Sequence, residues 1–279
     1  MTSRAVVLGS GGVAGIAWEA GVLAALAERG LDLREADLIV GTSAGAVVGA
    51  KLAAGLDPRV LYSERLVPQE GEPAPKTSMF GLFRLVRELL KAKDSREFGA
   101  RMGRVALAAT TPPEERRRAE VQRWLGELRE WPGKSLTITA VDAESGEPTN
   151  FTANSGVTLL DAVCASTAGP GVRPPATVGA RRYIDGGMRS PANVDLATGY
   201  DRVVVIAPVV RGGGVMPSVQ QQIDALGGRS RVALVSPDPK TWRAITGRGG
   251  LLDPARAPEA AKAGRSLDVA EDIAAVWIP

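Results

Sequence analysis

Short, wholly apolar runs that stop at glycine constrain this chain more than any other feature. Ala5–Leu8 (AVVL) runs into Gly9, and Leu38–Val40 (LIV) runs into Gly41. Runs this short without polar alternation suit strands buried on both faces, as in a parallel sheet covered by helices. Between them, residues 16–29 place Ala17, Gly21, Leu23, Ala24, Leu26 and Ala27 at helical spacing, and Gly30 ends the segment. Ala44–Ala54 reads as a helix of small residues ending at Gly55. The first 55 residues therefore predict strand, loop, helix, strand, turn, helix: an α/β class with a mostly parallel central sheet flanked by helices.

Further buried strands are predicted at Leu136–Val141, Arg182–Ile184, Val203–Ala207 and Arg231–Val235. Thr149–Thr152 is placed as a hairpin partner of Leu136–Val141, and Asp161–Ala165 as helical. Residues 56–133 differ. Proline-rich loops at Pro68, Pro73 and Pro75 lead to one helix over about 80–107, and Pro112-Pro113 separates it from a charged helix over 114–131. Between Lys76 and Arg104 there are eight Lys or Arg against three Asp or Glu. Phe80, Phe83, Val86 and Leu90 lie near one face of that helix; Arg84, Arg87 and Lys91 follow another. A helical insertion packed on the core is favoured over a lid or lipid-contacting helix. An alanine-rich helix over 257–277 closes the chain. With no repeat and no clear linker, residues 1–279 read as one domain.

Two absences narrow the chemistry. The 279 residues include no histidine, so a Ser-His-Asp triad is closed and so are zinc sites of the His/Cys type. The single cysteine, Cys164, forbids an intramolecular disulfide. No metal and no cofactor is expected. A net charge of +3 is compatible with anionic substrates or lipid surfaces, and no nucleic-acid partner is expected. Arg4 followed by the uncharged stretch 5–18 has the outline of a signal peptide, but glycines at 9, 11, 12 and 15 interrupt it. A buried strand and glycine loop fit better, and a cytoplasmic protein is expected.

Gly41-Thr42-Ser43-Ala44-Gly45 has the Gly-x-Ser-x-Gly spacing of a nucleophile elbow, set between an apolar strand and a helix. Gly41 and Gly45 would let neighbouring chain pass close to Ser43. The loop 9–15 (GSGGVAG) supports two readings. As Gly9-x-Gly11-x-x-Ala14 it approximates a dinucleotide fingerprint, but the end of the second strand lacks the acidic residue that would hold a ribose. As an oxyanion hole, it offers the amides of Gly11, Gly12 and Val13. A serine needs a base, and without histidine a carboxylate is required. Asp185, at the end of an apolar run and before Gly186-Gly187, is the best candidate. Asp161 and Asp195 also lie near apolar segments but lack that setting.

Ser10-Gly11-Gly12-Val13-Ala14-Gly15, Gly41-Thr42-Ser43-Ala44-Gly45 and Asp185-Gly186-Gly187, in that order, resemble the patatin-like phospholipases. The stretches GVLAAL at 21–26 and ASTAGPGVRPP at 165–175 add to the likeness. The resemblance implies a three-layer patatin-like sandwich and a Ser–Asp dyad, with Ser43 attacking a lipid or fatty-acyl ester and Asp185 taking its proton. It implies a soluble enzyme that meets lipid, with contact at the membrane periphery left open. The first glycine of the loop motif is replaced by Ser10. Ala14 stands where the family usually has an arginine, which leaves a catalytically weak or silent binding protein as the alternative.

Overall fold

The computed structural model describes residues 2–67, 86–247 and 250–278. Its centre is an eight-stranded sheet with the order β5-β6-β3-β2-β1-β7-β8, and β4 pairs with β3. The strands are β1 (Arg4–Leu8), β2 (Leu38–Thr42), β3 (Leu136–Asp142), β4 (Pro148–Phe151), β5 (Ala176–Val178), β6 (Arg181–Asp185), β7 (Arg202–Ile206) and β8 (Arg231–Val235). The run β3-β2-β1-β7-β8 is parallel throughout. β4, β5 and β6 extend it in antiparallel sense. β1, β2 and β7 lie in the middle and β1 and β2 bury almost every residue, which is why their sequences show no alternation.

The helices are α1 (Gly12–Glu28), α2 (Ala44–Ala53), α3 (Pro58–Leu66), α4 (Ser95–Leu107), α5 (Glu114–Leu125), α6 (Leu159–Ser166), α7 (Val219–Ala225), α8 (Pro239–Thr246), α9 (Ala257–Arg265) and α10 (Ala270–Trp277). The two faces of the sheet carry separate apolar cores. One gathers Leu8, Ile39 and Ile138 with α1, α2, α6 and α9; the other gathers Val7, Val40 and Val205 with the segment around Val194 and with α7. α1 is apolar almost all round because it is sandwiched. It lies backbone to backbone on α9, where a Cβ on Gly21 would sit 2.1 Å from the Ala261 carbonyl and one on Gly264 2.2 Å from that of Trp18.

Several expected boundaries move. α1 begins at Gly12 rather than residue 16, so the glycine loop supplies its first turn. The single helix expected over 80–107 is interrupted. Residues 80–85 lie outside the described residues, 86–91 are helical, and a new helix starts at Ser95. The cause is local capping: the Asp94 carboxylate accepts the Glu97 amide at 2.7 Å, and the Glu97 side chain takes the Lys93 amide at 2.8 Å. α4 presents Phe98, Met102 and Val105 to Val141 and Ile184, so the insertion packs on the antiparallel side of the sheet. The helix expected to reach residue 131 stops at Leu125, before Gly126 at φ 67°. The closing helix is two, broken over 266–269. Among the described residues no helix is long and apolar enough to cross a membrane.

Candidate active site

Parallel β1 and β2 end side by side, and each hands the chain to a helix that starts there. The crevice beyond the carboxyl ends of such strands is where α/β sheets gather ligands. Ser43 occupies the turn between β2 and α2 with φ 55° and ψ −110°. Among the described residues only Ser43 and Asn193 are non-glycine residues with positive φ. Such a conformation costs about 1–3 kcal/mol and persists only where the surroundings enforce it. Here they do. A Cβ at Gly41 would lie 2.6 Å from the Gly45 carbonyl oxygen, and one at Gly45 would lie 2.2 Å from that of Leu8. The Gly45 amide donates to the Gly9 carbonyl at 3.0 Å, which ties the turn to the neighbouring glycine loop.

Asp185 arrives from the other side. It ends β6, opposite Ala140 of β3, and its amide donates to the Ala168 carbonyl at 3.0 Å. Its carboxylate accepts two hydrogen bonds, from the Ser43 hydroxyl at 2.7 Å through Oδ2 and from the Gly187 amide at 2.8 Å through Oδ1. Folding thus joins two side chains 142 positions apart in sequence. Both are buried, at 7% and 9% exposure. Burial pushes the Asp185 carboxyl up to about 6, against the opposing pull of the Ser43 hydroxyl, the Gly187 amide and the Arg117 cation. Asp161 and Asp195 are elsewhere, paired with Arg118 and Arg189.

The glycine loop follows β1 and runs beside the end of β7. Gly9 and Ser10 commit their amides to the carbonyls of Ile206 and Pro191, and Ala14 commits its own to Leu251 at 3.0 Å. The amides of Gly11, Gly12 and Val13 fall at or before the first turn of α1, and no backbone acceptor engages them among the described residues. The N-termini of α1 and α2 therefore both face the Ser43 side of the sheet, an arrangement that favours negative charge there.

Other residues hold the site without having been singled out from the sequence. Ser166 accepts the Ser43 amide through Oγ at 2.9 Å. Thr42, Thr139 and Asn193 form a buried hydroxyl–amide knot, with Asn193 Nδ2 at 3.0 Å from Thr42 Oγ1 and 3.3 Å from Thr139 Oγ1. It joins β2, β3 and the segment after β6. Ser166 falls inside the 165–175 stretch already noted for its likeness, which was the available signal. The knot has none, because threonines and an asparagine far apart in sequence carry no spacing rule.

Comparison with known proteins places the chain in a family. The family described as patatin-like phospholipase matches residues 6–198. Among curated proteins none matches. Among solved structures the chain is similar to VipD from Legionella pneumophila, with 13% identity, 99% of this chain and 67% of that one covered, and a TM-score of 0.48. It is also similar to the type III effector ExoU, with 16% identity, 100% and 54% covered, and a TM-score of 0.40. The chain spans about two thirds of the first and about half of the second. Since the family match takes in the glycine loop, the serine turn and the aspartate strand, the chain belongs to the patatin-like phospholipase family.

Proposed function

We propose that this chain is a serine hydrolase of lipid carboxylic esters in which Ser43 is the nucleophile and Asp185 its base. The observation that carries the reading is the 2.7 Å hydrogen bond from Ser43 Oγ to Asp185 Oδ2 in a chain without histidine. A buried carboxylate with its proton affinity raised toward 6 is a better base than an exposed one and is still mostly ionised at neutral pH.

In the first half-reaction Ser43 Oγ bonds to the ester carbonyl carbon as its proton passes to Asp185. The carbonyl oxygen becomes an oxyanion, held by the amides of Gly11, Gly12 and Val13. The tetrahedral centre collapses, the ester C–O bond breaks, and Asp185 returns the proton to the leaving alcohol. In the second, water attacks the acyl-serine, Asp185 takes its proton, and the carboxylic acid leaves as that proton goes back to Ser43. Gly41 and Gly45 keep the serine on its turn. Lipid esters are the substrate class because the family is one of phospholipases.

The test is hydrolysis of p-nitrophenyl esters of several chain lengths by the parent, Ser43→Ala and Asp185→Asn, with fluorophosphonate labelling and peptide mapping. Turnover by the parent alone, with label on Ser43, is the expected result. Label on another serine overturns the assignment. A parent that neither turns over nor labels would favour the silent binding protein, whose support is Ala14 in the place of the family's usual loop arginine.

A further inference from the structure

Both dyad residues are held by residues 166–168, where α6 ends. Ser166 Oγ accepts the Ser43 amide at 2.9 Å, and the Ala168 carbonyl accepts the Asp185 amide at 3.0 Å. Between them stands Thr167, whose carbonyl takes a hydrogen bond at 3.3 Å from Nη2 of Arg117. Arg117 belongs to α5, in the helical insertion, and is only 4% exposed. Its place is fixed on two sides. Glu120 pairs with it at 2.6 Å, and its guanidinium lies 4.4 Å from the Trp124 ring centroid. Glu120 also pairs with Arg173 at 2.7 Å.

We propose that Arg117 is a positioning residue for the Ser43–Asp185 dyad, coupling the insertion to the reaction through the Thr167 carbonyl and through its charge. The inference rests on the dyad reading above. A guanidinium that fixes Thr167 fixes the spacing of its neighbours, and those neighbours set where the Ser43 amide and the Asp185 backbone lie. Its charge also favours the ionised carboxylate that must accept a proton.

Other charged groups sit on the elements around Asp185. On its own strand, Arg181 pairs with Asp142 of β3, and Arg182 donates to the Pro175 carbonyl. From α6 come Asp161, paired with Arg118 of α5, and Cys164, whose thiol burial pushes up to about 12 and keeps neutral. Glu114 of α5 binds Thr177, and Arg189, after β6, pairs with Asp195. On α4, Glu97 pairs with Arg101, Arg96 pairs with Glu147, and Arg104 completes the set. None of these cations bears on Asp185 as Arg117 does.

The experiment compares the parent with Arg117→Gln, Arg117→Lys and Glu120→Gln in full-length protein. The readout is the pH profile of kcat/KM on a p-nitrophenyl ester, normalised to sites titrated by fluorophosphonate. Arg117→Gln is expected to lose roughly tenfold at neutral pH, the scale of one misplaced charge-assisted hydrogen bond, and to move the acid limb to higher pH. Arg117→Lys should bring the limb back toward the parental position. Glu120→Gln should move it to lower pH, because the Arg117 charge loses its counterion, and this arm decides the matter if Arg117→Gln does not fold. An unmoved limb in Arg117→Gln or Glu120→Gln overturns the proposal, because a packing role alone leaves the profile in place. A parent without Ser43-dependent turnover overturns the dyad reading, and this inference with it.

Discussion

The amide of Ser43 points into the molecule and ends on the hydroxyl of Ser166, 2.9 Å away and out of contact with solvent. That bond supplies an acceptor for a turn whose φ excludes ordinary helix or strand partners. Ser166→Ala removes the acceptor and leaves a buried donor unmet, which costs about 1–3 kcal/mol. Urea denaturation should show the loss. Esterase activity per titrated site should fall with it, because the freed turn no longer aims Oγ at Asp185.

Gly45 has less latitude than any surface glycine. An added methyl group would overlap the Leu8 carbonyl oxygen at 2.2 Å, and that oxygen belongs to a central strand. Neither backbone can retreat without breaking the β1–β2 pairing. Gly45→Ala should therefore cost several kcal/mol, on the order of the larger core disruptions. A protein that melts within a degree or two of the parent would contradict the packing described here.

The raised proton affinity of Asp185 has a sign that stability measurements can read. Its folded value, about 6, lies above the ordinary 3.8 of the unfolded chain. The folded state then holds the proton more tightly, and stability falls as pH rises from about 4 through 6. At neutral pH the ionised carboxylate is a net liability for the fold. Asp185→Asn should be more stable than the parent there by about 1–3 kcal/mol, and the difference should vanish in acid. Parent activity should fall below about pH 6 with no histidine to account for it.

Glu19 gives a parallel case away from the dyad. It lies on α1 with no solvent exposure, and neither carboxyl oxygen has a hydrogen-bond partner among the described residues. Burial pushes its carboxyl well above the usual range; the Gly9 amide, committed to Ile206, offsets only part. As with Asp185, stability should decline as pH climbs from the ordinary carboxylate range toward the folded value. Glu19→Gln should abolish that decline, as seen by denaturation at a series of pH values. An unchanged slope would mean that Glu19 is not held neutral by its surroundings.

The parallel half of the sheet was legible because β1, β2, β7 and β8 are unbroken apolar runs with no competing pattern. β5 escaped notice because three residues, one of them buried, leave no periodicity to read. The interruptions at Asp94 and over 266–269 leave little trace for another reason: helical spacing continues across them, and only the first carries a capping side chain. At the site, Ser43 and Asp185 stand out because glycines beside them mark places where chain crowds chain. Arg117 does not, because in a run of three arginines on a charged helix nothing in the sequence tells the buried one from its neighbours.

The contact between Leu251 and the glycine loop has an evolutionary side. The family match ends at residue 198, yet the carbonyl that occupies the Ala14 amide belongs to residue 251, and a Cβ on Gly12 would press against that same oxygen at 2.6 Å. The contour of the loop is thus dictated partly by a stretch of chain outside the signature by which relatives are recognised. Two members with letter-perfect signatures can accordingly differ in the shape of this loop, through drift in a stretch that no signature records.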